Sequence, residues 1–181
     1  MIELQLVDIL NRKSQTDFTL MALLREKGGN RSLPVMMGPV EAQAVAAALH
    51  RFNAPRPGIF DLYMNTLELL DVSVDRVEIY KIDSGVFYSH VYIEKEGCIS
   101  FVDSRTSDAI SIALKANAPI YIDDALFESH CMKSEGNGAF SMPISTVSMS
   151  VLQEALAKAV QNEDYEFAAR LRDEIKSRNG I

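Results

Sequence analysis

Residues 2–10 (IELQLVDIL) alternate apolar with polar positions and read as a strand. Residues 18–25 (FTLMALLR) read as a second strand, with a turn at Ser14-Gln15-Thr16 between them. Gly28-Gly29-Asn30 breaks the chain before a third strand at 33–37. The period changes at Gly38-Pro39. Proline suits the first helical position, Glu41 falls where a carboxylate faces the free amides of the first turn, and Val45, Leu49 and Phe52 lie on one stripe. Asn53-Ala54-Pro55-Arg56-Pro57-Gly58 must interrupt that helix, because its prolines remove donors and bias their predecessors away from the helical region. A second helix runs from about Ile59 to Leu70. Residues 74–103 return to a β pattern, as three strands separated by turns at Asp83-Ser84-Gly85 and Glu96-Gly97, which is an antiparallel meander. Ser104 to Asp108 then lead into an apolar helix, Ala109 to Ala116, which Pro119 stops before a short strand, PIYID. Apolar residues take more than half the circumference of this helix. Its narrow polar strip, Ser107, Asp108, Ser111 and Lys115, must face solvent or a site.

From Lys133 to about Ser150 the composition shifts to Ser, Gly, Asn and Pro, the mark of a flexible linker. Two amphipathic segments follow, 151–161 and 164–178. Leu152, Ala155, Leu156 and Ala159 stripe the first, and Phe167, Ala168, Leu171 and Ile175 the second. Two short stripes that face each other make an antiparallel helical hairpin. The pattern therefore predicts an α+β domain, 1–132, with a mainly antiparallel or mixed sheet and packed helices, a linker, 133–150, and a C-terminal hairpin, 151–181. Chains below about 40 residues usually need a partner or an oligomer to hold a fold, so docking is the expected purpose of the hairpin.

Composition narrows the function. The net charge of −7 and pI near 5.0 give none of the basic footprint of most nucleic-acid binders. Residues 151–181 hold five Lys/Arg against six Asp/Glu, which leaves 13 against 19 for residues 1–150, so the acidity belongs to the α+β domain. Two cysteines, Cys98 and Cys131, are too few for a disulfide framework and form no CxxC pair. No apolar run approaches the roughly 18 residues of a membrane span, and the expectation is a cytoplasmic protein with no membrane partner.

Candidate chemistry gathers at the start of the third helix. Phosphodiester cleavage needs a metal on clustered carboxylates or a histidine base, because an anionic pentavalent phosphorus and a leaving alkoxide must be stabilised. Asp103 and Asp108 bracket the helix start and could share one Mg2+ or Mn2+. Arg105, with the amides around Thr106 and Ser107, could hold a phosphate. Capping accounts for the same residue types and spacing without any ligand, with Arg105 paired to one of the two aspartates. Glu41 is a further candidate acid or, equally, a first-turn cap carboxylate. His50, His90 and His130 stand far apart, and His130-Cys131 is half a soft-metal site at best. No paired HxK, HNH or PD…ExK signature can be read.

Two resemblances add to this reading. Tyr165-Glu166-Phe167-Ala168-Ala169-Arg170-Leu171-Arg172-Asp173-Glu174-Ile175, after the acidic Glu163-Asp164, closely resembles the UVR motif of excinuclease subunits B and C and of certain Clp-protease-associated regulators. That resemblance implies a protein-interaction element, with Phe167, Leu171 and Ile175 as its partner-binding stripe. Residues 33–125 resemble the bifunctional nuclease domain family, through Leu33-Pro34-Val35 leading to Gly38, Glu41-Ala42-Gln43-Ala44, Arg56-Pro57 with Asp61-Leu62, and above all Val102-Asp103-Ser104-Arg105-Thr106-Ser107-Asp108-Ala109-Ile110 through Ala118-Pro119-Ile120-Tyr121. The family commonly has proline where Thr106 stands and histidine where Phe60 stands. The resemblance implies a low-specificity nuclease, a phosphodiester hydrolase degrading DNA and/or RNA. Two rival readings stand beside it. One is a non-enzymatic regulator or adaptor that docks through the hairpin. The other is a homo-oligomer whose α+β domains only scaffold the hairpins.

Overall fold

The computed structural model describes residues 1–13, 18–52, 54–134, 140–141, 149–162 and 164–179. The expected turn at residues 14–16 and most of the expected linker lie outside them. Seven strands form one mixed sheet: β1 (Ile2–Lys13), β2 (Phe18–Glu26), β3 (Ser32–Met37), β4 (Ser73–Asp83), β5 (Val86–Lys95), β6 (Cys98–Arg105) and β7 (Ile120–Ile122), in the order β3-β2-β1-β7-β4-β5-β6. Two antiparallel meanders, β1-β2-β3 and β4-β5-β6, are joined through β7, which runs antiparallel to β1 and parallel to β4.

The second meander owes its register to its turns. Ser84 and Gly85, and again Glu96 and Gly97, all take positive φ, which suits the two-residue type I′ turns whose twist matches that of paired strands. The register then assigns each side chain to a face. Leu4, Ile120, Val77 and Val91 form one row across the sheet, and Ile2, Ile122, Ile79 and Ser89 the next. Both rows face the helices, and their buried members form the core together with Ala42 and Val45 of α1 (Pro39–Leu49) and Ala109, Ile110 and Ala113 of α3 (Thr106–Ala116). Helix α2 (Ile59–Leu69) lies against α3 but fully buries only Leu67.

Three local expectations change. Phe52 lies beyond the end of α1 and is exposed, because the helix stops at Leu49 before the Pro-containing segment. Helix α3 begins at Thr106, directly after β6, rather than at Ala109. Its N-cap is Arg105, with no side-chain cap bond. A fourth helix, α4 (Asp124–His130), is capped by Asp123, whose Oδ1 accepts from the amides of Ala125 and Leu126 at 2.9 and 3.2 Å, and it buries Phe127 in the core.

After α4, the described pieces of 133–150 include a two-residue antiparallel ribbon of β8 (Lys133–Ser134) and β9 (Phe140–Ser141). Helices α5 (Met149–Gln161) and α6 (Tyr165–Asn179) then pack on each other around a second cluster of buried residues, Leu152, Ala159, Ala168 and Leu171, with Ala155, Leu156 and Ile175 against it. No described helix is long and apolar enough to cross a membrane.

Candidate functional site

Where β6 passes directly into α3, the side chain of Arg105 leaves the sheet edge and joins two helices. Its Nε donates to Asp108 Oδ2 at 2.8 Å, its Nη2 to Asp108 Oδ1 at 3.3 Å, and its Nη1 to Glu41 Oε1 at 3.0 Å. Asp108 comes from the first turn of α3 and Glu41 from the first turn of α1, so the packing of these helices brings three sequence candidates into one ion cluster. Hydrogen bonding to Asp108, and secondarily the nearby Glu41, raises the guanidinium pKa and fixes its charge.

Beside this cluster is an open cleft of about 530 Å3 between α2 and α3. Ile59, Phe60, Leu62, Tyr63 and Ile112 give it apolar walls, and Arg105 and Asp108 add charged groups to its lining. Phe60, at the position where the resemblance leads one to expect histidine, contributes a wall of this cleft. Farther along α3, Lys115 pairs with Asp61 of α2 at 2.5 Å, and Asp61 also accepts the Gly58 amide at 2.9 Å. The Lys115 bond first, then the Gly58 amide, hold the Asp61 carboxyl below its ordinary pKa.

Asp103 belongs to a different cluster. It stands opposite His90 in the β5–β6 pairing, on the sheet face turned away from the core row of Ser89 and Val91. Its Oδ1 accepts from the Tyr80 hydroxyl at 3.1 Å and lies 4.0 Å from His90 Nε2. Tyr80 stacks on His90 with ring centroids 3.9 Å apart, and His90 meets Phe101 at 4.3 Å. Among the described residues Asp103 and Asp108 share no partner. Thr106 is buried, its hydroxyl 2.6 Å from that of Ser89, while Ser104 Oγ donates to the Arg105 carbonyl and Ser107 offers its own carbonyl to Ser111 Oγ at 3.0 Å. The hydroxyls at this helix start are therefore not its caps. No group of three or more metal-type ligands occurs among the described residues, and His130, beside buried Cys131, contacts the Leu126 carbonyl through Nδ1.

The Bifunctional nuclease domain model matches residues 22–135, more than half of the sequence and the whole of this site. The chain belongs to the bifunctional nuclease domain family. Residues 147–177 match the UvrB/uvrC motif. An uncharacterized protein of Mycobacterium tuberculosis is 35% identical over 104 residues, covering 58% of this chain and 62% of the relative. Bifunctional nuclease 1 of Arabidopsis thaliana is 24% identical over 179 residues, 86% of this chain and 54% of the relative. Bifunctional nuclease 1 of Oryza sativa subsp. indica is 26% identical over 129 residues, 69% and 39% respectively. The chain thus spans less than two thirds of the length of these curated relatives.

Within this nuclease-family domain, periodicity had not brought His90 and Tyr80 to Asp103, nor Asp61 to Lys115. The Asp103–His90 pairing was accessible from the second I′ turn, whereas Tyr80 was not, because an irregularity between Ile79 and Lys81 shifts the register there. Tyr88, His90 and Tyr92 alternate along β5, and counting back from Glu96-Gly97 sets Asp103 against His90.

In the UVR hairpin the three stripe residues separate. Leu171 is buried in the hairpin's own core, Ile175 packs on that core, and Phe167 is exposed, as are Tyr165 and Val160.

Proposed function

We propose that this chain is a low-specificity nuclease acting on DNA and/or RNA, with the Glu41–Arg105–Asp108 cluster as its reaction centre. The observation that carries the reading is that Arg105 bridges two carboxylates and lines an open cleft, in a chain of the nuclease family. An arginine fork matches phosphate oxygens, and the cleft beside it leaves room for the sugar and base that accompany a phosphate.

Charge supports a metal requirement. Glu41, Asp108 and Arg105 sum to −1, which repels a phosphodiester, and a divalent ion would turn the sum to +1. Mg2+ is commonly held by one or two carboxylates together with substrate phosphates, and Glu41 with Asp108 fits that donor set for Mg2+ or Mn2+. When bound, the ion would supply Lewis-acid stabilisation of the phosphoryl charge. Arg105 would orient the phosphate. Asp103, beside His90, would serve from the sheet face as a carboxylate for further substrate contacts, and the amides at Thr106 and Ser107 would complete the phosphate cradle at the helix start.

In this reading the UVR hairpin docks the nuclease domain onto a helical surface of a repair or stress complex, through exposed Phe167 and its neighbours on the hairpin surface. The alternative, a regulator or adaptor without turnover, is favoured by the acidic domain and by Phe60 in place of histidine. Turnover of labelled DNA and RNA by protein free of host nuclease, with Mg2+, Mn2+ or chelator, separates the two. Metal-dependent cleavage that disappears in Asp108→Asn supports the nuclease, and no cleavage of either polymer makes the adaptor the correct account.

A further inference from the structure

On the sheet face turned away from the helices, the second meander carries a row of rings. Phe87, Ser89 and Val91 of β5 are buried toward the core, so the alternating Tyr88, His90 and Tyr92 point to the other face. The register sets Phe101 beside Tyr92 there, and the irregularity between Ile79 and Lys81 brings Tyr80 onto His90. The rings follow one another, with centroids 6.2 Å apart for Tyr88 and Tyr80, 3.9 Å for Tyr80 and His90, 4.3 Å for His90 and Phe101, and 5.6 Å for Phe101 and Tyr92. His90 is enclosed between its neighbours, Arg76 covers Tyr92 at 3.8 Å and Lys81 stands over Tyr88 at 5.1 Å. Tyr80 (40%) and Phe101 (57%), on either side of His90, are the open rings of the row. The watered face of an antiparallel sheet ordinarily carries polar residues. Cross-strand ring pairs do stabilise a sheet, but that purpose does not call for rings left open on both sides of His90.

We propose that this aromatic row is a binding site for single-stranded nucleic acid, whose bases stack on Phe101 and Tyr80. The choice of nucleic acid as occupant rests on the nuclease reading above. Charge selects the single strand. Of the cations that border the row, Arg76 is held by Asp75 and Glu78, and Lys81 by Asp83, so little is left to grip phosphates. A duplex is bound mainly through its phosphates and keeps its base faces stacked inside, which makes it a poor occupant of an acidic domain. A single strand offers the base faces themselves, and stacking on an aromatic ring accepts every base.

The row also has a direction. Phe101, Asp103 and Arg105 share one parity along β6, so a strand stacked on Phe101 and followed along β6 reaches the position of Arg105 in two steps of about 6.6 Å. Asp103, midway, repels phosphate but can accept from the amino groups of base edges. The rings thus hold bases while the chain leads toward the guanidinium that joins Glu41 and Asp108.

Binding of the full chain to labelled single-stranded DNA and RNA of about ten nucleotides, an ordinary single-strand site size, tests this in the presence of chelator, where metal-dependent turnover is silent. The expected result is that single strands bind and a duplex of the same sequence binds more weakly. Phe101→Leu and Tyr80→Leu, which keep apolar bulk but remove the ring face, each raise the Kd at least about fivefold, the lower end of what one stacked base contributes. Their far-UV spectra stay unchanged, because both positions are exposed. Phe101→Trp retains the affinity. The chain contains no tryptophan, so that indole is a sole reporter, and its emission is quenched as a base stacks on it. Failure of both polymers to bind, a Kd indifferent to Phe101→Leu, an unquenched indole while the label reports binding, or a duplex bound as tightly as the single strands would each overturn the proposal. Cleavage in Mg2+ that accompanies such a failure would leave the reaction centre standing, whereas ring-dependent binding without cleavage would keep the platform and remove the nuclease.

Discussion

The hydroxyls of Ser89 and Thr106 lie 2.6 Å apart, both buried, and tie the middle of β5 to the first residue of α3. This bond fixes where the helix leaves the sheet, and hence where Arg105 and Asp108 stand. Removing one hydroxyl leaves the other buried without its partner, which costs about 1–3 kcal/mol. Ser89→Ala and Thr106→Val should each lower stability by that amount in urea unfolding. The double variant should lose less than the sum, since the second change removes a group that the first has already orphaned.

The fate of Thr106 shows where sequence reasoning was sufficient and where it failed. Alternation and the Ser84-Gly85 and Glu96-Gly97 turns made the second meander legible, because both signals act within a few residues. The enclosed character of α3 was legible for the same reason. Its starting residue was not. A Ser/Thr cluster looks like a capping signal unless one knows that β5 passes alongside and offers Ser89 to Thr106. The insertion of β7 between β1 and β4 depends on pairing across more than 40 residues, which no local period encodes. Glu41 and Asp108 could be chosen as candidates by residue type. That Arg105 joins them, while Asp103 faces His90, required the register and the packing of α1 on α3.

Asp61 provides a pH test. Its carboxyl is held below the ordinary value by Lys115 and the Gly58 amide, so its folded-state pKa lies below that of the unfolded chain, about 3.9. A depressed carboxyl pKa contributes stability that is fully present above the unfolded value and is lost as pH falls through the folded one. Wild type should therefore be more stable than Asp61→Asn at neutral pH. That advantage should shrink as pH drops below about 4, as read from urea midpoints at a series of pH values. A constant difference across that range would assign the effect of Asp61 to packing rather than ionisation.

Leu171 and Leu152 are the two most deeply buried large side chains of the α5–α6 pair. A glutamate at position 171 places a charge in that small core, where burial without a partner costs several kcal/mol. Leu171→Glu should remove the helical signal of the hairpin and its partner binding together. Phe167→Ala, at an exposed position, should weaken partner binding with the helical signal intact. Ending the chain at Ser134 should leave the main melting transition almost unchanged, because the hairpin's buried cluster is separate from that of the sheet.

The Arg105 cluster predicts a specific division among variants. Asp108→Asn keeps the shape of the side chain but withdraws the charge that both holds the guanidinium and would bind a divalent ion, so nuclease activity should fall while stability changes little; the pair involves a largely exposed arginine, and such pairs are worth at most about 1 kcal/mol. Glu41→Gln should act in the same direction. Arg105→Ala should weaken substrate binding and reduce the slope of log affinity against log salt by about 0.7–0.9, the release expected for one phosphate contact. Asp103→Asn leaves this cluster untouched and should lower activity less than Asp108→Asn, because its nearest partners are Tyr80 and His90 on the opposite sheet face. Equal losses from both aspartates, measured as kcat on labelled single-stranded DNA and RNA, would mean that the two clusters work on one substrate and that the reaction centre extends around the sheet edge at Arg105.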